Sequence, residues 1–152
     1  MPDIGIGDQI TTAWWPAAVE DEDATDLVVT STAFIPGTSP CDVTFTASRT
    51  GRAAVCVAGN WTQASAGNRI FISYEVYLGT SAAGTLVRSA RSGFGISDNG
   101  ATGGSLEQGW GNMTMIEGLT PGATYFARVV HMTEAGTTST VTHRRIIVFP
   151  LP

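Results

Sequence analysis

The chain has 152 residues, of which 43% are hydrophobic and only 14% charged, and its net charge is −5. This length predicts one domain with its own hydrophobic core, and an acidic chain is not expected to bind nucleic acid through a broad basic surface. No run of about 18 apolar residues occurs, and the first residues lack the basic and apolar regions of a secretory signal. Insertion into a membrane is therefore not expected.

The N-terminal residues differ in composition from the rest of the chain. We predict a short irregular arm at residues 1–26 and a β-sandwich domain at residues 27–152. Within AWWPAAVEDED, Trp14 and Trp15 are followed by Pro16 and then by four consecutive acids. The proline limits any helix to one or two turns, and acids at the far end of that helix would oppose its dipole. The two tryptophans either pack onto the chain's own core or dock into another protein.

From Leu27 onward the pattern is that of β-structure. DVTFTA alternates apolar and polar residues, as a half-buried strand does, and the turn SRTG before RAAVCVAG predicts a hairpin. RIFISYEVYL, TLVRSA, TYFARVVHM and TVTHRRIIVFPLP are further strands, whereas the glycine-rich residues 92–112 predict a long loop. About eight short strands separated by turns predict an all-β antiparallel sandwich, such as a jelly roll.

The sequence carries no recognisable catalytic or metal-binding motif. It contains no GxSxG, HExxH or Walker A pattern, and its two histidines are not accompanied by clustered cysteines or acids. We therefore predict a non-enzymatic protein with no cofactor and no metal. Cys41 and Cys56 are expected to be free thiols, although the sequence leaves open whether neighbouring strands bring them together.

Several segments resemble known families. GLTPGATYFARVVH resembles the E–F corner of fibronectin type III domains, in which a Pro-Gly turn and a tyrosine precede a long strand. VTFTASRTGRAAVCVAG, followed by RIFISYEVYLGTSAAGTLVRSA, resembles the opening strands of C1q/TNF-like jelly rolls. With the tryptophan pair near the start and RRIIVFPLP at the end, the chain is similar to small virion proteins of actinobacteriophages, often labelled minor tail proteins.

This resemblance implies a homotrimer of jelly rolls at the tip of a tail fibre or elsewhere on the surface of a virion that is assembled in the bacterial cytoplasm. We expect Trp14, Trp15 and Pro16 to anchor the chain to another tail or capsid protein, because buried tryptophans supply large contact areas. The likeness to minor tail proteins favours the tail. The short chain, which has no fibre shaft, leaves capsid decoration as an alternative.

The strand YFARVVHM is apolar on both faces. Antiparallel sheets with one face in water alternate cleanly, so a second apolar face predicts a subunit interface. The candidate interface residues are Tyr125, Val129, His131, His143 and Arg145.

A carbohydrate-binding module for a host cell-wall glycan is the alternative function, compatible with a place on a virion. Aromatic side chains exposed on a rigid β-scaffold can stack on sugar rings, and the candidates are Trp61, Tyr77 and Trp110. Trp110 stands between two glycines in the predicted long loop and is the foremost candidate of the three, with a place at a trimer axis or at an end of the sandwich as the alternative.

Overall fold

A computed structural model describes residues 16–63, 69–98, 104–134 and 138–152, and for residues 63, 98 and 104–108 it describes the backbone only. Within these ranges the chain forms ten strands and a single 3₁₀ turn at Ser92–Phe94. The strands are β1 (Val19–Asp23), β2 (Leu27–Val29), β3 (Asp42–Thr46), β4 (Arg52–Gln63), β5 (Ile70–Leu78), β6 (Thr85–Arg88), β7 (Ile96–Asp98), β8 (Gly104–Ile116), β9 (Thr124–Thr133) and β10 (Ser139–Leu151). Over the described ranges, no helix is long and apolar enough to cross a membrane.

The strands form two antiparallel sheets. Sheet I has the order β1-β10-β4-β8, with β2 also paired to β10, and sheet II has the order β3-β9-β5-β6, with β7 also paired to β5. The chain passes from sheet II to sheet I between β3 and β4 and returns to sheet II at β5. Such crossings between two packed sheets are the arrangement of a jelly roll. The predicted all-β antiparallel jelly-roll sandwich is confirmed.

The core lies between the two sheets and follows the period of two that a strand imposes on its side chains. In β3, Val43 and Phe45 are buried and Thr44 is exposed, as the alternation in DVTFTA predicts. In β4, Val55 and Val57 face the interior and have no solvent exposure.

The predicted hairpin between β3 and β4 is wrong. β3 pairs with β9, whereas β4 pairs with β10 and β8, so the turn at residues 48–51 is a corner between the sheets. The hydroxyl groups of Ser48 and Thr50 both donate to the carbonyl group of Leu151, and the Leu119 amide donates to the Gly51 carbonyl at 2.9 Å. A tight turn with a glycine is found both in hairpins and in corners between sheets, so the local sequence does not distinguish the two connections.

The predicted arm at residues 1–26 also needs correction, because β1 belongs to the sandwich. It pairs with β10 in a register that sets Glu22 opposite Arg145 and Asp23 opposite Arg144. Acidic side chains on β1 face basic side chains on β10, and these contacts stabilise the pairing of the two strands. The run of acids alone does not suggest this pairing. Of the three predicted anchoring residues, Trp14 and Trp15 lie outside the described residues, and Pro16 is half-buried.

The predicted long loop at residues 92–112 is wrong in part. The 3₁₀ turn at Ser92–Phe94 and strand β7 occupy its beginning, and β8 starts at Gly104, where it pairs with the end of β4. Gly109 stands opposite Asn60, and a Cβ atom on this glycine would approach Asn60 Oδ1 to 2.4 Å. Glycines that allow this close approach remove the alternation by which a strand is recognised.

Candidate functional surfaces

The outward face of sheet I carries two apolar rows that run across β10, β4 and β8. Met113 is 57% exposed, Met115 is 40% exposed and Phe149 is 36% exposed, and these large apolar side chains lie next to one another on the same face. The rows, together called the sheet I patch, are Phe149, Ala54 and Met115 in one and Ile147, Cys56 and Met113 in the other.

The middle of the sheet I patch is lower than its sides. The central strand β4 contributes the small residues Ala54 and Cys56, and Ala58 continues the same line. The larger side chains of Phe149 and Met113 rise from the strands on either side. A shallow apolar trough with flexible methionines along one side suits contact with another protein surface.

Charged residues border the sheet I patch beside β1. Arg145 Nη2 donates to Glu20 Oε2 at 2.6 Å, and its Nε lies 4.0 Å from Glu22 Oε2. The hydrogen bond to Glu20 raises the pKa of Arg145. His143 Nδ1 lies 3.6 Å from Glu22 Oε1 and is also exposed. Two of the five predicted interface residues, His143 and Arg145, therefore lie together at the rim of this face.

The other three predicted interface residues are buried between the sheets, so their assignment to an intersubunit surface is wrong. Tyr125, Val129 and His131 are 3%, 1% and 0% exposed. They occupy the inward-facing positions of β9. On the opposite face of the same strand, Val130 also has no exposure. A single chain thus covers part of both faces of β9, which accounts for apolar residues that the sequence suggested a second subunit would cover.

A buried ion pair joins strand β1, near the start of the described chain, to strand β10, near its end. The register between β10 and β4 shifts between Thr142 and Arg145, and His143 has a positive φ of 48°, so this bulge turns Arg144 inward. Arg144 is fully buried, and its Nη2 lies 2.6 Å from Asp23 Oδ2 while its Nη1 donates to the Ser39 carbonyl at 2.7 Å. The hydrogen bond from the Ser39 hydroxyl lowers the pKa of Asp23 to about 2.

His131 and Cys41 lie in the core and are not suited to catalysis at neutral pH. Burial and the nearby charge of Arg144 lower the pKa of His131 to about 4, and neither ring nitrogen has a hydrogen-bond partner among the described residues. Burial and the charge of Asp21 raise the pKa of Cys41 to about 12. The imidazole is therefore neutral, and the thiol is protonated and inert.

Only one of the three predicted sugar-stacking residues is accessible. Trp61 is 2% exposed and Tyr77 is 8% exposed, so neither presents a ring face to solvent, and both predictions are wrong. Trp61 falls on the inward-facing positions of β4, in phase with Val55 and Val57. Trp110 is 66% exposed.

Tyr77 belongs to a polar network on the outward face of sheet II that the sequence did not suggest. Arg128 donates from Nε and Nη2 to Glu75 Oε2 at 3.0 and 2.8 Å, and the Tyr77 hydroxyl donates to the same oxygen at 2.7 Å. Burial and the bond to Glu75 raise the pKa of Tyr77. Glu75 and Arg128 are directly opposite on β5 and β9, a pairing of distant segments that the sequence alone does not reveal. This network satisfies its own charges and stabilises the sheet.

The described residues contain no group of three or more His, Cys, Asp or Glu side chains arranged to hold a metal ion. Cys41 and Cys56 are both free thiols. The structure thus answers the question left open by the sequence about a bond between these two residues.

No protein-family model and no curated protein matches the sequence. Among solved structures, a chain of the infectious bursal disease virus Gt strain has a TM-score of 0.51 at 15% identity, covering 88% of this chain and 33% of that one. A chain of the infectious bursal disease virus VP2 subviral particle has a TM-score of 0.50 at 15% identity, covering 98% of this chain and 37% of that one. Eiger TNF from S. frugiperda has a TM-score of 0.47 at 11% identity, covering 89% of this chain and 92% of that one.

The present chain spans about a third of the length of the two viral chains. At this identity the likeness shows a shared fold. The jelly roll described here is thus a fold also found in chains of virus particles.

Proposed function

We propose that the protein is a non-enzymatic structural component of a bacteriophage particle and is displayed on its surface. The exposed sheet I patch carries this proposal, because large apolar side chains in adjacent rows mark a surface that is covered by another protein. The shared fold with chains of virus particles and the sequence resemblance to small phage virion proteins support the same assignment. Of the two locations, the resemblance to minor tail proteins favours the tail tip over the capsid.

Copies of this chain are the partner that fits the sheet I patch best. The rim of the patch combines the acids Glu20 and Glu22 with the bases His143 and Arg145, so a second copy can offer each charge an opposite one. Three copies around an axis would cover the trough of each subunit and form the expected homotrimer.

The mass of the protein in solution, measured by light scattering after size-exclusion chromatography, tests this arrangement. We expect a trimer for the unmodified protein and a monomer for Met113→Glu and Phe149→Glu, because each places a charge in an apolar interface. Leu86→Glu is the matched control, since Leu86 is 47% exposed on β6, the edge strand of sheet II, and should leave the trimer intact. A monomeric unmodified protein, or three variants that behave alike, would contradict the proposal.

Attachment to the particle is proposed to occur through Trp14, Trp15 and Pro16. A chain that lacks residues 1–15 keeps β1. If this chain still folds but is absent from purified particles, the attachment is supported, whereas failure to fold would reject it. Retention of the truncated chain on the particle would reject the anchor. Gold-labelled antibody on intact particles, viewed by electron microscopy, distinguishes the tail tip from the capsid.

Binding of a host cell-wall glycan is a second candidate function, favoured by the exposure of Trp110. If it stacks on a sugar, Trp110→Ala should abolish retention of the protein on host cell walls. Val28→Ala removes another exposed apolar side chain, 63% exposed on β2, and should have no effect. Equal retention of all three proteins would exclude this role.

A further inference from the structure

A small cavity lies at one edge of the sandwich, where β6 and the 3₁₀ turn approach β8. Its volume is about 210 Å³, and its lining residues are Val87, Arg88, Ser89, Arg91 and Phe94. Pockets for drug-sized molecules run from roughly 300 to 1,000 Å³, so this cavity suits a smaller group, about the size of one sugar unit. It is separate from the sheet I patch and does not contain Trp110.

The two arginines of this cavity differ from most other arginines of the chain. Five arginines lie within salt-bridge distance of a carboxylate: Arg52, Arg69, Arg128, Arg144 and Arg145. Neither Arg88 nor Arg91 has such a carboxylate among the described residues. Acids outnumber bases by 13 to 8 in the sequence, so two neighbouring cations without an acid are unexpected.

One aromatic ring holds both cations in place. The guanidinium carbon of Arg88 lies 3.9 Å from the centroid of the Phe94 ring, and that of Arg91 lies 5.6 Å from it. Both distances are within the range of a cation–π interaction. Arg88 Nη2 also donates to the Met115 carbonyl of β8 at 3.1 Å, which fixes the guanidinium across the edge of the sandwich.

The Nε of Arg88 is a buried donor without a partner in the described part of the chain. The Nε atoms of Arg144 and Arg145 are in the same state, so it is the absence of a nearby carboxylate that distinguishes Arg88 and Arg91. Arginine binds carboxylate and phosphate groups through pairs of parallel N–H donors, and these charge-assisted bonds are stronger than neutral ones.

We propose that Arg88 and Arg91 form a binding site for the carboxylate or phosphate group of a compact polar molecule of about the size of one sugar. The charged group would accept hydrogen bonds from both guanidinium groups, and the Ser89 hydroxyl would be available to the rest of the molecule. The exposed aliphatic side chain of Val87 offers a surface for its C–H groups. The site goes beyond the proposed function and does not depend on assembly into a particle.

Isothermal titration calorimetry at low ionic strength tests the site on the full chain with four probes: glucuronate, glucose 6-phosphate, glucose and inorganic phosphate. We expect saturable binding of the two acidic sugars and none of glucose. Arg88→Gln and Arg91→Gln should each weaken binding about tenfold or more, because each removes charge-assisted hydrogen bonds. Arg52→Gln removes one exposed positive charge elsewhere and should leave binding unchanged.

Each result of the titrations either supports or rejects the proposed site. Binding of acidic sugars that is lost in both variants, which unfold at the same temperature as the unmodified protein, supports the site. Equal binding of glucose rejects the role of the charged group, and binding of inorganic phosphate alone rejects a sugar-sized ligand. Absence of saturable binding at millimolar probe, or unchanged binding in Arg88→Gln and Arg91→Gln, rejects the site altogether. If Arg88→Gln does not fold, Arg88→Lys retains the charge without the planar pair of donors and should also weaken binding.

Discussion

Arg144 is fully buried, and its charge is compensated by Asp23 and by the carbonyl group of Ser39. Removal of one partner of a buried ion pair leaves the other uncompensated, at a cost of about 3 kcal/mol or more. We expect Arg144→Ala to lower the free energy of unfolding by about this amount in a urea titration. Arg145→Ala breaks a solvent-exposed pair with Glu20 and should change the stability little. Equal losses of unfolding free energy in the two variants would show that the buried ion pair of Arg144 contributes no more to stability than the exposed pair of Arg145.

His131 should make the stability depend on pH. Its pKa in the folded chain is about 4, against 6.5 in the unfolded chain, so the unfolded chain binds more protons between these values. The free energy of unfolding therefore has its full value above pH 6.5. It decreases as the pH is lowered towards 4, by about 3 kcal/mol in total. Asp23, whose pKa is lowered from 3.8 to about 2, loses its own contribution to stability mainly below pH 4.

Urea titrations at several pH values measure this effect. The loss of stability below pH 6.5 should be much smaller in His131→Gln. The variant His143→Gln, at the exposed histidine, is measured for comparison. A pH profile shared by all three proteins would mean that His131 is not the responsible group.

Trp61 and Trp110 show when the sequence predicts which face of a strand a side chain occupies. Trp61 is in phase with Val55 and Val57, so the alternation in β4 contained the information that it faces the core. Trp110 lies in a strand whose neighbouring positions are glycines, and no alternation is left from which its side could be derived. The network of Glu75, Tyr77 and Arg128 depends on the pairing of β5 with β9, which are distant in the sequence.

At the scale of elements, the corner between β3 and β4 depends on Gly51. This residue has a φ of 65°, and a Cβ atom on it would lie 2.2 Å from the Leu119 carbonyl oxygen. Gly122 has a similar φ of 75°, but no atom lies within 4 Å of its Cβ position. Gly122→Ala should therefore cost only the backbone penalty of roughly 1 kcal/mol, and Gly51→Ala should cost clearly more because two backbone segments must also move apart.

Thermal unfolding of both glycine variants measures the difference between them. Similar melting temperatures for Gly51→Ala and Gly122→Ala would indicate that the corner can move without cost. The corner would then not fix the relative position of the two sheets.

Strand pairs could be predicted only where the sequence separation is short or the chemistry is complementary. The hairpin of β5 and β6 follows from its turn, but the corner between β3 and β4 contains equivalent turn residues and has a different role. β1 and β10 offer a signal that local analysis overlooks. A run of acids at residues 20–23 and the pair Arg144 and Arg145 can stabilise each other across two strands.

At the scale of the whole molecule, the proposed trimer predicts how the cysteines react. Cys56 lies in the middle of the sheet I patch, and three subunits that cover this face should protect it from iodoacetamide. In Phe149→Glu, which we expect to be monomeric, Cys56 should be alkylated faster. Cys41 is 1% exposed and has a pKa of about 12, so it should stay unmodified in both proteins. Mass spectrometry of the treated proteins measures the rates, and equal rates for Cys56 would place it outside any interface.

The fold class could be predicted from the sequence, but the candidate interface could not. Short alternating strands and many turns are sufficient for an antiparallel sandwich. The apolar pattern of β9 indicated two covered faces, yet it carried no information on whether the same chain or another copy supplies the cover. That distinction depends on which strands lie against Val130 and which lie beside Met113, and both are set by the topology of the sheets.

The pairing of β1 with β10 has a mechanical consequence. Because Val19 stands opposite Val148, the described chain enters and leaves sheet I at the same end. A force that pulled the two ends apart would open the hydrogen bonds between β1 and β10 one after another, as a zipper opens, and each step would need little force. A domain built in this way withstands drag best when it is tethered through one end and the other end is left free.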